Sequence, residues 1–284
     1  MIVVTFKNFY LYNSILVERQ SNSKMNIIFS DLDGTLLNSQ HKVSIPTIAA
    51  IQNRLTKGDI FIPVSARMPL AITKVTDPIS SELPLISYNG ALIINKDKTV
   101  AYSCSLDNAT VKRIIKIVKS NYPQLVINVY CNYDLWLTEN IHNYWTEKEM
   151  KAVNCIPKIV DLSNFSFNSP IYKLLIQGPK EVKLELKKRL ESSINNINIV
   201  NYGEITNSSS NKGYAVKQII EKYKATSIQS WAFGDSENDI TMLNSVENPY
   251  VMGNASPSIK KLFHNHTLTN DNNGIAFVLN QIND

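Results

Sequence analysis

The sequence predicts an α/β protein: an open, mostly parallel sheet flanked by helices and interrupted by an inserted α+β unit. Short apolar runs alternate with helical patterns over residues 26–90, the alternation gives way to hairpin-like segments, and it resumes from about residue 206. At 284 residues the chain has room for a core domain and an insertion. The reading assigns 25–90 and 206–284 to the core, 91–205 to the insertion and 1–24 to an N-terminal extension.

Each element has its own signal. Ile27–Phe29 is a buried-strand run, and Ser44 with Pro46 opens a helix carrying Ile48, Ile51 and Leu55 on one face, closed by Gly58. The next strand ends at Val64, a short helix covers 68–75, and "LPLISYNG" is a third strand ending in a turn. The insertion then reads as a hairpin around Asn95–Lys98, a helix near 107–120 and the strand-rich "LVINVYCNYDLWLT". A helix near 141–152, the strand "IYKLLIQG", a charged helix at 180–193 and "INIVNYGEIT", taken as one strand, complete it. The charge run in that last helix reads as a solvated face. Beyond it come the helix "NKGYAVKQIIEKY", the strand "SIQSWAFGD", the helix "SENDITMLNSV", the strand "YVMGNA", the helix "SPSIKKLF", strand-like "HTLTN" and the helix "GIAFVLNQI".

Composition narrows the function. Hydrophobic residues make up 44% and charged residues 19%, the balance of a soluble globular protein, and no apolar run approaches the ~18 residues of a spanning helix. The net charge of +5 is scattered among acids, which argues against a nucleic-acid stripe and suits a small anionic substrate. Cys104, Cys131 and Cys155 form no CxxC and are odd in number, which fits neither a disulfide framework nor a zinc site and predicts a cytoplasmic protein. His264 and His266, in a polar loop, read as surface residues. Residues 1–24 lack the apolar core and cleavage site of a signal peptide, so the functional domain is expected to begin at Met25.

Polar clusters fall at the predicted strand ends: Asp31 and Asp33 after the first strand, Ser65 after the second, Asp235 and Asp239 after the strand ending at Phe233. Ligands of open parallel sheets bind beyond the carboxyl ends of their strands, so residues 200 positions apart are expected to share one crevice. Four carboxylates in one volume either take up protons or hold a cation. Oxygen ligands with no His or Cys among them point to Mg²⁺. Lys212, at a helix start beside Gly213, is the cationic complement, and Ser65 with the backbone of Ala66 adds donors for phosphate oxygens. Singly, each fragment is most often structural: a DxD turn, a surface lysine, an acidic helix start. Their joint occurrence in order is what points to chemistry.

Taken together, "DLDGTLL", the Ser of "VSAR", "NKG" and "GDSENDITML" resemble the haloacid dehalogenase (HAD) superfamily of phosphohydrolases. "YVMGNASPSIK" and "LTNDNNGIAFVL" are similar to its Cof-type branch, and the resemblance spans residues 25–283. It implies a Rossmann-like HAD core with a cap inserted between the second and third motifs, the place of 91–205. It further implies that Asp31 is the nucleophile of an aspartyl-phosphate mechanism and Asp33 the general acid/base. Mg²⁺ would be held by Asp31, the Asp33 carbonyl and Asp235, with Asp239 supporting its waters and Ser236 at the same edge. Ser65, Lys212 and Asn238 would hold the phosphate, with amides near Leu32 and Ala66; Ala66 stands where the family commonly has Gly.

The expectation is therefore a Mg²⁺-dependent phosphomonoesterase acting on a small soluble phosphate, without nucleic-acid or membrane partners. Family analogy puts sugar phosphates first and flavin mononucleotide or pyridoxal phosphate next. The cap is expected to close over the site and carry selectivity on loops such as 130–136. A phosphotransferase or phosphomutase would share the aspartyl-phosphate but return the group to an organic acceptor. A non-catalytic phospholigand sensor would be favoured by loss of Asp31, Asp33 or Lys212, and all three are present.

Overall fold

Residues 25–223 and 228–283 are described by the computed structural model of the chain. The expectation about residues 1–24 lies outside them.

Strand β1 (Met25–Asp31) is apolar enough to be buried on both faces and is an interior strand of a seven-stranded sheet. Helix α1 (Ile45–Thr56) leads to β2 (Ile60–Val64), and α2 (Pro69–Thr76) to β3 (Leu85–Ser87). Ser44 caps α1 by accepting from the Thr47 amide, and Pro46 occupies the first turn, where its missing N–H costs nothing. The hairpin β4 (Leu92–Ile94) and β5 (Val100–Ser103) runs antiparallel along the edge beyond β3. The sequence placed this hairpin in the insertion; its strands instead continue the core sheet.

A second sheet follows, built from β6 (Val126–Cys131), β7 (Leu135–Thr138), β8 (Lys158–Ile159), β9 (Ile171–Gln177), β10 (Ile197–Val200) and β11 (Glu204–Asn207). Its order is β10-β11-β9-β6-β7-β8. Helices α3 (Asn108–Asn121) and α5 (Lys180–Ser193) bury Val111, Ile114, Val118, Leu186 and Leu190 against one face. Helix α4 (Tyr144–Val153) adds Val153 to a different cluster, in which Tyr130, Trp136 and Tyr172 of the second sheet pack with Leu32, Met68, Ile72, Tyr88 and Leu92 of the core. Tyr88 stacks on Tyr172 at 5.3 Å and Tyr130 on Trp136 at 5.4 Å. "INIVNYGEIT" is a hairpin rather than one strand: Asn201 and Tyr202 both have positive φ, 51° and 62°, and Gly203 follows them. An Asn-x-Gly turn between apolar runs is the signal that reading missed.

The chain returns through α6 (Lys212–Lys222), β12 (Ile228–Gly234), α7 (Ile240–Leu243), β13 (Asn248–Val251), α8 (Pro257–Lys260) and α9 (Gly274–Leu279). "HTLTN" contributes only an isolated bridge, His266 to Val251. The parallel register sets Ser30 beside Phe233 and Asp31 beside Val64. The three strands therefore end level, and the residues that leave them meet.

Candidate active site

Asp31 is the last residue of β1, with only 6% of its surface exposed. Lys212, at the start of α6, is 1% exposed, and its Nζ donates to Asp31 Oδ1 at 2.6 Å and to Asp239 Oδ1 at 2.7 Å. Asn211 caps α6 through the Tyr214 amide, which fixes where Lys212 emerges. Gly90 makes this approach feasible: a Cβ there would collide with the Asn211 carbonyl, and its φ is +97°.

The other acids have separate supports. Asp239 is fully buried, and its Oδ2 accepts from the Asp235 and Ser236 amides, both at 3.0 Å. Thr35 Oγ1 donates to Asp235 Oδ1 at 2.9 Å. Gly34, with φ +83°, lets the turn pass Asp235; a Cβ there would lie 2.5 Å from Asp235 Oδ2. Asp31, Asp235 and Asp239 each offer an oxygen within 4.8 Å of the others.

Asp33 is oriented differently. Its side chain is 51% exposed and is held by a bidentate pair with Arg67, Nε at 2.8 Å and Nη2 at 2.6 Å. Arg67 in turn donates its amide to Ser65 Oγ at 3.1 Å. Two carboxyls one residue apart thus occupy opposite environments, one buried against an ammonium and one at a mouth against a guanidinium.

The electrostatics of the buried group follow from its geometry. Burial, and then the charge of Asp239, pushes the Asp31 carboxyl well above the ordinary carboxylate range despite Lys212. Burial and Asp239 likewise push Asp235 up to about 6. Burial works against the charge of Lys212, but Asp239 and Asp31 outweigh it and hold the ammonium above its usual range. Three carboxylates face one ammonium here, all donors are oxygens, and Asp31 and Asp235 are driven towards protonation. A hard divalent cation fits such a donor set.

The site opens into a cavity of about 750 Å³. Asp31, Asp33, Ser65, Ala66, Lys212, Ser236 and Asn238 all line it, so the sequence-predicted groups come together. Leu32, Asp235 and Asp239 do not line it: Leu32 is fully buried, Asp239 lies behind Lys212, and Asp235 is bonded to Thr35. Ser236 Oγ is bonded to Asn238 Oδ1 and, at 3.2 Å, to Asp239 Oδ2. Ala66 has no positive φ, and its carbonyl accepts from Lys173 Nζ of β9 at 2.9 Å.

Sequence reasoning missed four contributors. Arg67 follows Ser65 by two residues in "VSAR", Thr35 closes "DLDGT", and Asn89 sits in "YNG" at φ 55°. The fourth is the roof, formed by Lys187 of α5 and residues 198–202 and 204 of the β10–β11 hairpin. Tyr130 and Trp136, expected on a selectivity loop, are instead 1% exposed in the aromatic cluster between the sheets.

Comparison with known proteins bears on this geometry. The family model for haloacid dehalogenase-like hydrolases matches residues 28–279. A Haemophilus influenzae protein named "Putative phosphatase" is 31% identical over 258 residues, covering 89% of this chain and 97% of its own. Bacillus subtilis YwtE, named a 5-amino-6-(5-phospho-D-ribitylamino)uracil phosphatase, is 26% identical over 289 residues, covering 91% of this chain and 98% of its own. A solved Bacteroides thetaiotaomicron structure of a haloacid dehalogenase-like hydrolase superposes with TM-score 0.80 at 26% identity, over 92% of this chain and all of that one.

Proposed function

The chain belongs to the haloacid dehalogenase-like hydrolase family and is a phosphatase of it, and we propose that it hydrolyses small soluble phosphate monoesters through an aspartyl-phosphate on Asp31. The observation that carries this reading is the contrast in surroundings between Asp31 and Asp33. Asp31 Oδ2 is not the oxygen taken by Lys212, and Asp31 lines the cavity. It attacks phosphorus as a carboxylate; the bond from phosphorus to the alcohol oxygen breaks, and the alcohol leaves with a proton from Asp33. Water then attacks phosphorus, gives its proton back to Asp33, and releases inorganic phosphate and free Asp31. Asp33 stands at the open mouth, where both alcohol and water pass, and it carries and passes its proton when its pair with Arg67 opens.

The remaining residues position and neutralise. The Lys212 ammonium lies beside the attacking carboxylate and offsets charge gathered on the phosphoryl group. Ser65 and Asn238 present hydroxyl and amide groups to the same cavity, which suits phosphate oxygens. Arg67 fixes Asp33 in place through both its oxygens. Asp31 and Asp235 would hold Mg²⁺, with Asp239 behind them; when bound it supplies positive charge that keeps the nucleophile ionised and the phosphate oxygens neutralised.

For the substrate, sugar phosphates come first, with flavin mononucleotide and pyridoxal phosphate after them. YwtE, by its name, acts on an ester carried by a ribityl chain, and the cavity wall here is rich in amides: Asn89, Asn198, Asn201 and Asn211. Among the described residues no helix is long and apolar enough to cross a membrane, and Cys104, Cys131 and Cys155 are all free thiols, which supports a cytoplasmic setting.

p-Nitrophenyl phosphate hydrolysis tests the reading, measured with Mg²⁺, with EDTA and with Asp31→Asn. Activity that needs the metal and is lost in the variant is expected, together with a base-labile phosphoryl adduct trapped on the wild-type chain. Undiminished hydrolysis by Asp31→Asn would refute it.

A further inference from the structure

The turn that carries Ser65 is held at three successive carbonyls, and one of these holds comes from the second sheet. The Ser65 carbonyl accepts from the Asn89 amide at 3.0 Å, and that of Arg67 from the Tyr88 amide at 3.3 Å and from Ser87 Oγ at 2.7 Å. Between them, the Ala66 carbonyl accepts from Lys173 Nζ at 2.9 Å. Lys173 belongs to β9, 107 residues along the chain.

Lys173 is 4% exposed, and among the described residues the Ala66 carbonyl is its one hydrogen-bond partner. The β6–β9 register sets it opposite Tyr130, whose ring centre lies 4.5 Å from Nζ and offsets part of the cost of burying the charge. That cost is several kcal/mol, and an apolar side chain of equal length would pack between the sheets without it. What the ammonium adds is the bond to Ala66. This bond reaches the chemistry through one peptide unit. The Ala66 carbonyl and the Arg67 amide are two ends of the same planar group, so holding one orients the other. The Arg67 amide donates to Ser65 Oγ at 3.1 Å. It occupies a lone pair of the hydroxyl and leaves the proton free for an acceptor in the cavity that Ser65 lines. Lys173 itself does not line that cavity.

We propose that Lys173 is a positioning residue: by holding the 66–67 peptide from the second sheet, it aims the Ser65 hydroxyl at the phosphoryl oxygens of bound substrate. This rests on the phosphatase reading. Arg67 owes its place to Ser87 and Tyr88 instead, so its pair with Asp33 does not depend on Lys173. Removing the ammonium therefore costs what Ser65 contributes and leaves the proton step alone. A donor that is present but misaimed is worth little in the transition state.

The test is a double-mutant cycle on kcat/KM for p-nitrophenyl phosphate with Mg²⁺, using Lys173→Met, Ser65→Ala and the two combined. Ser65→Ala is expected to lose about 10- to 100-fold, the worth of a hydrogen bond to a charged group. Lys173→Met should lose a comparable factor alone, but no more than about 2-fold in the Ser65→Ala background, because the group it aims is already gone. The pH profile of kcat should keep its shape in Lys173→Met. Lys173→Gln, polar but too short to reach the Ala66 carbonyl, should behave as the Met variant does and carries the cycle if that variant does not fold. Losses that multiply overturn the assignment, since a lysine that only packs weakens both backgrounds alike. Full activity in Lys173→Met or in Ser65→Ala, or a pH profile that moves, overturns it as well. Wild-type hydrolysis with multiplying losses sinks the inference alone, and no wild-type hydrolysis sinks the phosphatase reading with it.

Discussion

Among the described residues Lys212 is the one cation in contact with two of the buried acids, and replacing it with Met tests the electrostatics of the site at its centre. Met keeps the length and apolar stem of Lys but removes the ammonium that sits 2.6 Å from Asp31 and 2.7 Å from Asp239. The side chains are 1%, 8% and 0% exposed, so solvent cannot take over its role. Removing one partner of such a buried set costs about 3–5 kcal/mol. For a chain of this size that corresponds to a drop in Tm of roughly 6–20 °C. The loss should depend on pH, because Asp31, already pushed above the carboxylate range, escapes the penalty by taking up a proton. Thermal and urea unfolding of both proteins in EDTA at pH 8 and pH 5 is the assay: a large gap is expected at pH 8 and a smaller one at pH 5. Equal stability at pH 8, or a gap that does not narrow on acidification, would refute the reasoning.

Three further outcomes follow from the same geometry. Asp33→Asn should slow turnover by about 10²- to 10⁴-fold while inorganic phosphate still protects the protein from unfolding; full activity would remove Asp33 from the mechanism. Arg67→Met frees both Asp33 oxygens, so the pH profile of kcat should move; an unchanged profile would mean the pair is only structural. Folding raises the Asp235 carboxyl from 3.8 to about 6, so the folded chain binds that proton more tightly than the unfolded one between these values. In EDTA, stability should therefore fall as pH rises from 4 to 6, by on the order of 2 kcal/mol after allowance for partial solvent access. Adding Mg²⁺ should flatten that slope, and a slope of the opposite sign would contradict the assignment.

Much of the site was legible because its groups sit where a parallel sheet ends. The carboxyl ends of β1, β2 and β12 can be counted from apolar runs, and Asp31, Ser65 and Asp235 fall just beyond them. What was not legible depended on partners distant in sequence. Arg67 reads as one more charge until the fold turns Asp33 towards it. The β4–β5 hairpin pairs locally wherever it is placed, so its own residues say nothing about which sheet it joins; only β3 decides that. Tyr130 and Trp136 flank what reads as a polar turn, and their burial comes from Tyr88 and Tyr172, which belong to other segments. The hairpin that roofs the cavity was hidden inside an apparent single strand, because the turn at Asn201 and Tyr202 passed for part of it.

The aromatic cluster between the two sheets has one further consequence. Tyr88, Tyr130, Trp136 and Tyr172 are all at most 4% exposed, and Lys173 ties the same flank to the Ala66 carbonyl. Lifting the upper sheet as a whole would wet these rings, at about 1.5–3 kcal/mol for each one fully exposed. That flank behaves as a weld rather than a hinge. Substrate reaches the site past the β10–β11 hairpin, whose residues line the cavity. A cap held on one flank does not swing wide for its substrate, so the girth of a phosphate ester becomes a determinant of rate separate from its affinity.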